Sequence, residues 1–376
     1  MLGDDSGVSR RNVLKTAGGS LAAMSATGLA AAKPDDTVEV NVGFKSEKGK
    51  QMALAEANDV VRKFDSLDVV TIQVPKKAAT ALDQSPNIRY VEENGQMQAL
   101  AQSLPWGVNR VDADRAASDG SGADVAIIDT GIDGNHPDLE ANLGAGAYAV
   151  QCSSYSAECT YGWGDDNGHG THCAGITGAV DNNQGVVGVA PGVTLHAVKV
   201  LNSNGGGSYS DIAAGIEYVA DQGWDVGSLS LGGSASSTVR DAVQYADSRG
   251  VTLVAAAGNS GPCSDCVGYP AAYPETIAVS STNSNDDLSS FSSTGPEVDI
   301  AAPGSDIYST YVGGGYDTLS GTSMATPHVA GAAGILRSQG LSNAQTKNRL
   351  LSTAENIGLA SNESGAGLLD VEAATQ

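Results

Sequence analysis

Four segments of this 376-residue chain carry residue types suited to acyl transfer. Ala126-Ile127-Ile128-Asp129-Thr130-Gly131 reads as a buried strand ending in an aspartate and a turn glycine. Asn167-Gly168-His169-Gly170-Thr171-His172 opens a helix with a histidine among small neighbours. Ala257-Gly258-Asn259-Ser260 sets an amide just past a strand end. Gly321-Thr322-Ser323-Met324-Ala325-Thr326-Pro327 sets a serine at the head of an apolar helix. A serine hydroxyl is a poor nucleophile at neutral pH; it needs a base in hydrogen-bond reach and a third group to orient that base. Ser323, His169 and Asp129 can fill those roles. The tetrahedral oxyanion needs fixed donors, which the Asn259 amide and the Ser323 N–H can supply.

Each segment alone has an ordinary reading: an Asp after a strand caps or turns, and an Asn after Gly tolerates a left-handed turn. The four together, in the order Asp, His, Asn, Ser, are specific. Two alternatives are an inactive peptide-binding scaffold and an esterase. Filled catalytic positions disfavour the first. Ala325, standing where a G-x-S-x-G elbow needs its second glycine, disfavours the second.

These residues need a rigid frame, and the hydrophobic pattern supplies one. From Val108 onward, apolar strands at Val125–Ile128, Leu195–Leu201, Val251–Ala257 and Thr276–Ser280 alternate with helices. The helices are expected at Gly170–Ala179, Ser208–Asp221, Thr238–Ser248, Thr322–Gln339 and Asn343–Ser352. Such alternation predicts an α/β fold with a parallel sheet covered on both faces. Residues 34–100 predict a separate small α+β unit, with strands Val38–Phe44, Val69–Val74 and Ile88–Glu92 and helices Met52–Phe64 and Ala78–Leu82. A division near residue 100, with an N-terminal segment over 1–33, gives three parts: 1–33, 34–100 and 101–376.

Charge is uneven. Residues 1–100 hold 13 acidic and 12 basic side chains, whereas residues 101–376 hold 30 acidic and eight basic, with Lys199 and Lys347 the only lysines there. A net charge of −22 over that second part repels nucleic acid and anionic membranes, so neither is an expected partner. It suits a halophilic protein, because molar salt confines self-repulsion to within about 3 Å. At the N-terminus, Ser9-Arg10-Arg11-Asn12-Val13-Leu14-Lys15 is followed by a weakly apolar stretch from Ala17 to Ala32 that ends in Ala30-Ala31-Ala32. This pattern predicts a cleaved twin-arginine (Tat) signal over 1–33, hence folding before export to the outside.

Five cysteines follow Gln151. In an exported protein their spacing favours the local pairs Cys152–Cys159 and Cys263–Cys266 over the other pairings and over zinc, since no histidine lies beside either pair. Cys173, in an apolar helical run, is expected to be buried and free.

On the Asp129, His169, Asn259 and Gly321–Pro327 segments, residues from about Ala101 to Ala373 resemble the subtilisin family, and within it the secreted haloarchaeal halolysins. The resemblance implies a doubly wound parallel sheet preceded by a ferredoxin-like, inhibitory propeptide that also assists folding. It implies a monomeric, calcium-dependent serine endopeptidase acting on proteins and peptides, with no organic cofactor. Gly205, Gly206 and Gly207, with Ser230, Leu231 and Gly232, match the edges that pair with an extended substrate, and Gly268 matches the floor of the pocket for the residue before the scissile bond (P1). Ser228 stands where many family members carry Asn. A calcium site carried over from the family takes side chains of Gln102, Asp138 and Asn182 and carbonyls of Val180, Gln184 and Val186. Propeptide removal is expected between Leu100 and Ala101, which places Leu100 at P1 and implies a preference for large apolar P1 residues.

Overall fold

The computed structural model describes residues 37–95, 102–153 and 159–376; the expected signal and the Leu100–Ala101 bond lie outside these. The chain forms two compact units, residues 1–98 and 99–376.

The first unit runs β1 (Thr37–Phe44), α1 (Glu47–Glu56), β2 (Asp59–Lys63), β3 (Val69–Pro75), α2 (Lys76–Asp83) and β4 (Ile88–Glu93). Its antiparallel sheet has the order β2-β3-β1-β4, a βαββαβ arrangement of the ferredoxin type. Val40, Val42, Val70, Ile72 and Val74 alternate inward against Ala53 and Leu82 of the helices. The helix expected over Met52–Phe64 is a correction: α1 starts and ends earlier, and Ala57 is already extended. The 3-4 spacing of Leu54, Ala57, Val61 and Phe64 imitates one helical face. The adjacent β-branched Val60 and Val61 instead enter the edge strand β2, every residue of which is exposed.

The second unit is a seven-stranded parallel sheet in the order β11-β10-β9-β8-β5-β7-β6. Its strands are β5 (Asp124–Asp129), β6 (Ala147–Tyr148), β7 (Thr194–Lys199), β8 (Val226–Leu229), β9 (Thr252–Ala256), β10 (Thr276–Thr282) and β11 (Ile300–Pro303). Along β5, Val125 and Ile127 pack on one face while Ala126 and Ile128 pack on the other. Helices α3 (His169–Gly178), α6 (Thr322–Ser338) and α7 (Asn343–Thr353) lie on the first face; α4 (Tyr209–Gln222) and α5 (Ser237–Ser248) lie on the second. After β5 the chain builds β6 and β7 on one side, then crosses to β8 and proceeds outward on the other. Such a reversal leaves a crevice at the carboxyl ends of the strands. An antiparallel hairpin, β12 (Ile307–Tyr311) and β13 (Gly315–Leu319), packs on α3. No helix among the described residues is long and apolar enough to cross a membrane.

The sequence pattern misses β6 and β11, which are only two and four residues long, and β8 and the hairpin, whose Gly, Ser, Thr and Asp residues interrupt any hydrophobic run. β7 stops at Lys199, short of the expected Leu201.

Two histidines are sealed in this core. His172 donates from Nε2 to Ile307 O (3.0 Å), and His328 donates from Nδ1 to Met324 O (2.9 Å). Burial pushes each imidazole down to about 4. A folded pKa below the ordinary 6.5 gives stability that is complete above that value and is lost as pH falls towards 4, roughly 3 kcal/mol per residue. Urea unfolding of an inactive Ser323→Ala protein is therefore expected to show a lower midpoint at pH 4.5 than at pH 7, and His328→Gln a smaller drop between the two.

Candidate active site

Asp129 ends β5 with its side chain fully buried. Its Oδ1 accepts from Thr130 N (2.6 Å) and lies 2.8 Å from His169 Nδ1, while Oδ2 is buried with no partner among the described residues. His169 opens α3, where Gly168 takes the helix-capping position at φ +106, a conformation suited to glycine. A Cβ on Gly170 would strike Gly131 O, so the helix can approach the strand turn only with glycine there. Gly170 N also donates to Thr130 Oγ1 (2.8 Å). Burial opposes a charge on His169, but the Coulomb attraction and hydrogen bond of Asp129, helped by Asp165, outweigh it and raise the imidazole pKa.

Ser323 is the second residue of α6. Its Oγ donates to Ser230 O (3.2 Å) rather than to His169. Pro327 lies four residues on and has no N–H to give to Ser323 O. That carbonyl instead accepts from Ser230 Oγ (2.8 Å) and Cys173 Sγ (3.4 Å). A kink-prone residue thereby ties the end of β8, the head of α6 and helix α3 to one atom. Cys173 is fully buried, and burial pushes its thiol well up. Its sulfur lies with a ring nitrogen of His169 and a carboxylate oxygen of Asp129 within 4.8 Å of one another.

Asn259 follows β9, and its Oδ1 accepts from Thr322 N (2.9 Å) and Thr322 Oγ1 (3.0 Å). The amide is held by its oxygen, which turns Nδ2 away from Thr322; a Cβ on Gly321 would stand 3.4 Å from that Nδ2.

A cleft of about 730 Å³ joins Ser323 and Asn259 to Ser230, Leu231, Gly232 and Gly268. A second depression brings His169 together with Gly205, Gly206, Gly207 and the same Ser230–Gly232 segment. Neither is lined by a carboxylate, lysine or arginine among the described residues. A Cβ on Gly268 would meet nothing nearer than Gly233 O at 3.6 Å. Packing therefore permits a side chain there, and glycine keeps the cleft open.

The six positions expected at calcium also converge. Gln102 Nε2 donates to Val180 O (2.8 Å) and Val186 O (3.2 Å), Asn182 Nδ2 to Asp138 Oδ1 (3.1 Å), and Gln184 N to Asn182 Oδ1 (3.0 Å). Both expected disulfides form, Cys152–Cys159 and Cys263–Cys266, and Cys173 is free.

Three contributors escape sequence reasoning. Thr322 fixes Asn259. Lys199, fully buried at the end of β7, donates to Asp166 Oδ1 (2.6 Å), Leu201 O (2.9 Å) and Thr130 O (2.6 Å), steadying the residue after Asp129. Asp165 grips the turn before His169. A lysine inside an apolar strand was the one available signal.

Residues 120–367 match the Subtilase family (Peptidase_S8). The chain belongs to the subtilases. Residues 37–94 match the fervidolysin N-terminal prodomain. The chain is 44% identical over 324 residues to the alkaline protease of Alkalihalobacillus alcalophilus, covering 85% of this chain and 82% of that one. It is 42% identical over 362 residues to subtilisin E of Bacillus subtilis strain 168, covering 92% and 93%. This subtilase is accordingly a subtilisin-type serine endopeptidase with an N-terminal prodomain.

Proposed function

We propose that this subtilase is an exported, halophilic endopeptidase that matures itself and cleaves after large apolar residues. The observation that carries the catalytic reading is the buried Asp129 bonded to His169 in the crevice that also holds Ser323 and Asn259. A turn of the Ser323 side chain away from Ser230 O frees its proton for His169. Oγ then attacks the substrate carbonyl, and Asp129 steadies the imidazolium. Negative charge gathering on the carbonyl oxygen meets Asn259 Nδ2 and the N–H of Ser323 in the first turn of α6, where main-chain donors have no helical partner. His169 returns the proton to the leaving amine, and water releases the acyl group from Ser323 by the reverse steps. Gly205–Gly207 and Ser230–Gly232 offer main chain on either side of an extended peptide.

The same reading takes Leu100–Ala101 as the processing bond, 34–100 as an inhibitory propeptide and 1–33 as a Tat signal, with a monomeric extracellular product. Its acidity supports function in salt. The calcium reading draws support from Asp138, a fully buried carboxylate whose bonds come from neutral donors: Asn182 Nδ2, Val186 N and Tyr316 OH. A half-turn of the Gln102 amide presents Oε1 beside Val180 O and Val186 O, an all-oxygen set of the kind calcium takes. Bound there, the ion would brace this loop.

Casein digestion is expected to rise from low to molar salt for the parent and to vanish for Ser323→Ala, which should persist as uncleaved precursor. Maturation of Ser323→Ala would refute the assignment. Gly268→Val is expected to fold and to move cleavage of a peptide library from Leu, Phe, Tyr and Met at P1 towards Ala and Gly; an unchanged profile would place the P1 pocket elsewhere. In the Ser323→Ala protein, calcium should raise the melting temperature over a chelator-treated sample, and Asp138→Asn should remove that difference.

A further inference from the structure

Asp165 lies four residues before His169 and is fully buried. Both its oxygens are saturated by one turn of chain. Oδ1 accepts from Asn167 N and Gly168 N, each at 2.9 Å. Oδ2 accepts from Thr171 N (2.9 Å) and Thr171 Oγ1 (2.6 Å). The carboxylate thus embraces His169 from both sides in sequence, taking the N–H groups at 167, 168 and 171 and leaving the imidazole projecting from the middle of the bonded turn. A negative group at the first turn of α3 also complements the positive end of the helix dipole. The surroundings press on the same turn: Tyr311 OH donates to Asn167 O (3.1 Å), and Asn167 Nδ2 donates to Ser203 O (2.9 Å).

We propose that Asp165 is a positioning residue of the reaction, a second carboxylate that fixes the main chain of His169 and lends its charge to the imidazolium formed in each proton transfer. The inference rests on His169 being the general base.

Several other groups surround the turn and helix that carry His169. From β5 comes Asp129, bonded to Nδ1. From β7 comes Lys199, opposite Asp129 in the sheet and bonded to Asp166. Within α3 stand Cys173, kept as a neutral thiol by burial, and His172, held neutral near pH 7. From the hairpin come Tyr311, whose hydroxyl burial and the charges of Asp317 and Asp165 keep protonated, and Asp317, which lies beside His172. The Lys199–Asp166 pair is internally compensated, so Asp129 and Asp165 are the two carboxylates that support positive charge on the imidazole, against the cost of burial. Asp165 contributes by Coulomb attraction alone, without touching the ring.

The test is the pH dependence of kcat/KM for Asp165→Asn in the full chain, matured where necessary with a trace of parent enzyme that is then removed. The substrate is a peptide anilide with Phe at P1. Losing a charge that favours the imidazolium lowers the His169 pKa, so the acid limb is expected to move down by about half a unit to one unit. The rate constant kcat is expected to fall about tenfold while KM stays within about twofold, the pattern of a group acting mainly in the transition state. Thr171→Val keeps the carboxylate and removes one of its donors; its acid limb is expected to stay with the parent. An acid limb for Asp165→Asn that coincides with the parent's overturns the proposal whatever happens to the rate, and so does an equal shift in Thr171→Val. If Asp165→Asn yields no mature enzyme, NMR titration of the His169 ring in Ser323→Ala, with and without Asp165→Asn, reads the same displacement without turnover. Activity surviving in Ser323→Ala would instead unseat the triad, a separate result from an unmoved limb.

Discussion

A carboxylate sealed inside a protein costs several kcal/mol unless hydrogen bonds or opposite charge compensate it. Asp129 sits fully buried at the end of β5, and much of the local architecture is that compensation. Thr130 N and His169 Nδ1 both meet Oδ1, so the imidazole cannot swing away without stranding the charge. For His169 to reach Asp129, α3 must begin directly above the strand end, which is possible because residue 170 has no side chain to meet Gly131 O. Lys199 then fixes Thr130 from below through a carbonyl, with its own charge matched by Asp166. The constraint therefore runs from one buried charge to a helix start, a glycine and a neighbouring strand.

The serine side is organised by a missing donor. Pro327 denies Ser323 O its helical hydrogen bond, and the carbonyl is taken up by Ser230 and Cys173 instead. Ser230 is also part of the segment that borders both halves of the cleft. The main chain of Ser323, the cleft wall and the histidine-bearing helix are thus joined without any of them lending a charged group. In the proposed mechanism, fixing the Ser323 main chain in this way spares its N–H any reorganisation as charge develops on the substrate.

The distribution of cationic side chains follows a related logic. The second unit has only two lysines, and neither is a free surface charge: Lys199 is paired with Asp166 and Lys347 with Asp299. Salt screens exposed pairs strongly and buried ones far less. The pair beside β5 is fully buried on the lysine side, so its contribution is insulated from the ionic strength that the acidic exterior experiences.

The motifs alone determined the chemistry. Asp129, His169, Asn259 and Ser323 could be proposed as its residues because acyl transfer demands those residue types and they stand in the order Asp, His, Asn, Ser with Gly321–Pro327 around the serine. Hydrophobic periodicity likewise placed β5, β9 and the long helices, since each buries a continuous apolar stripe. What only the tertiary structure decided depends on groups distant in sequence. β8 and the β12–β13 hairpin are strands because neighbours satisfy their main chain, not because their own residues are strongly apolar. The stretch from Ala57 to Lys63 carries a helical spacing, yet pairs along β3 because that edge offers hydrogen bonds which an isolated helical turn cannot match. Lys199, Thr322 and Asp165 acquire their roles the same way: a side chain's partners across the fold are set by packing, and local sequence holds no record of them.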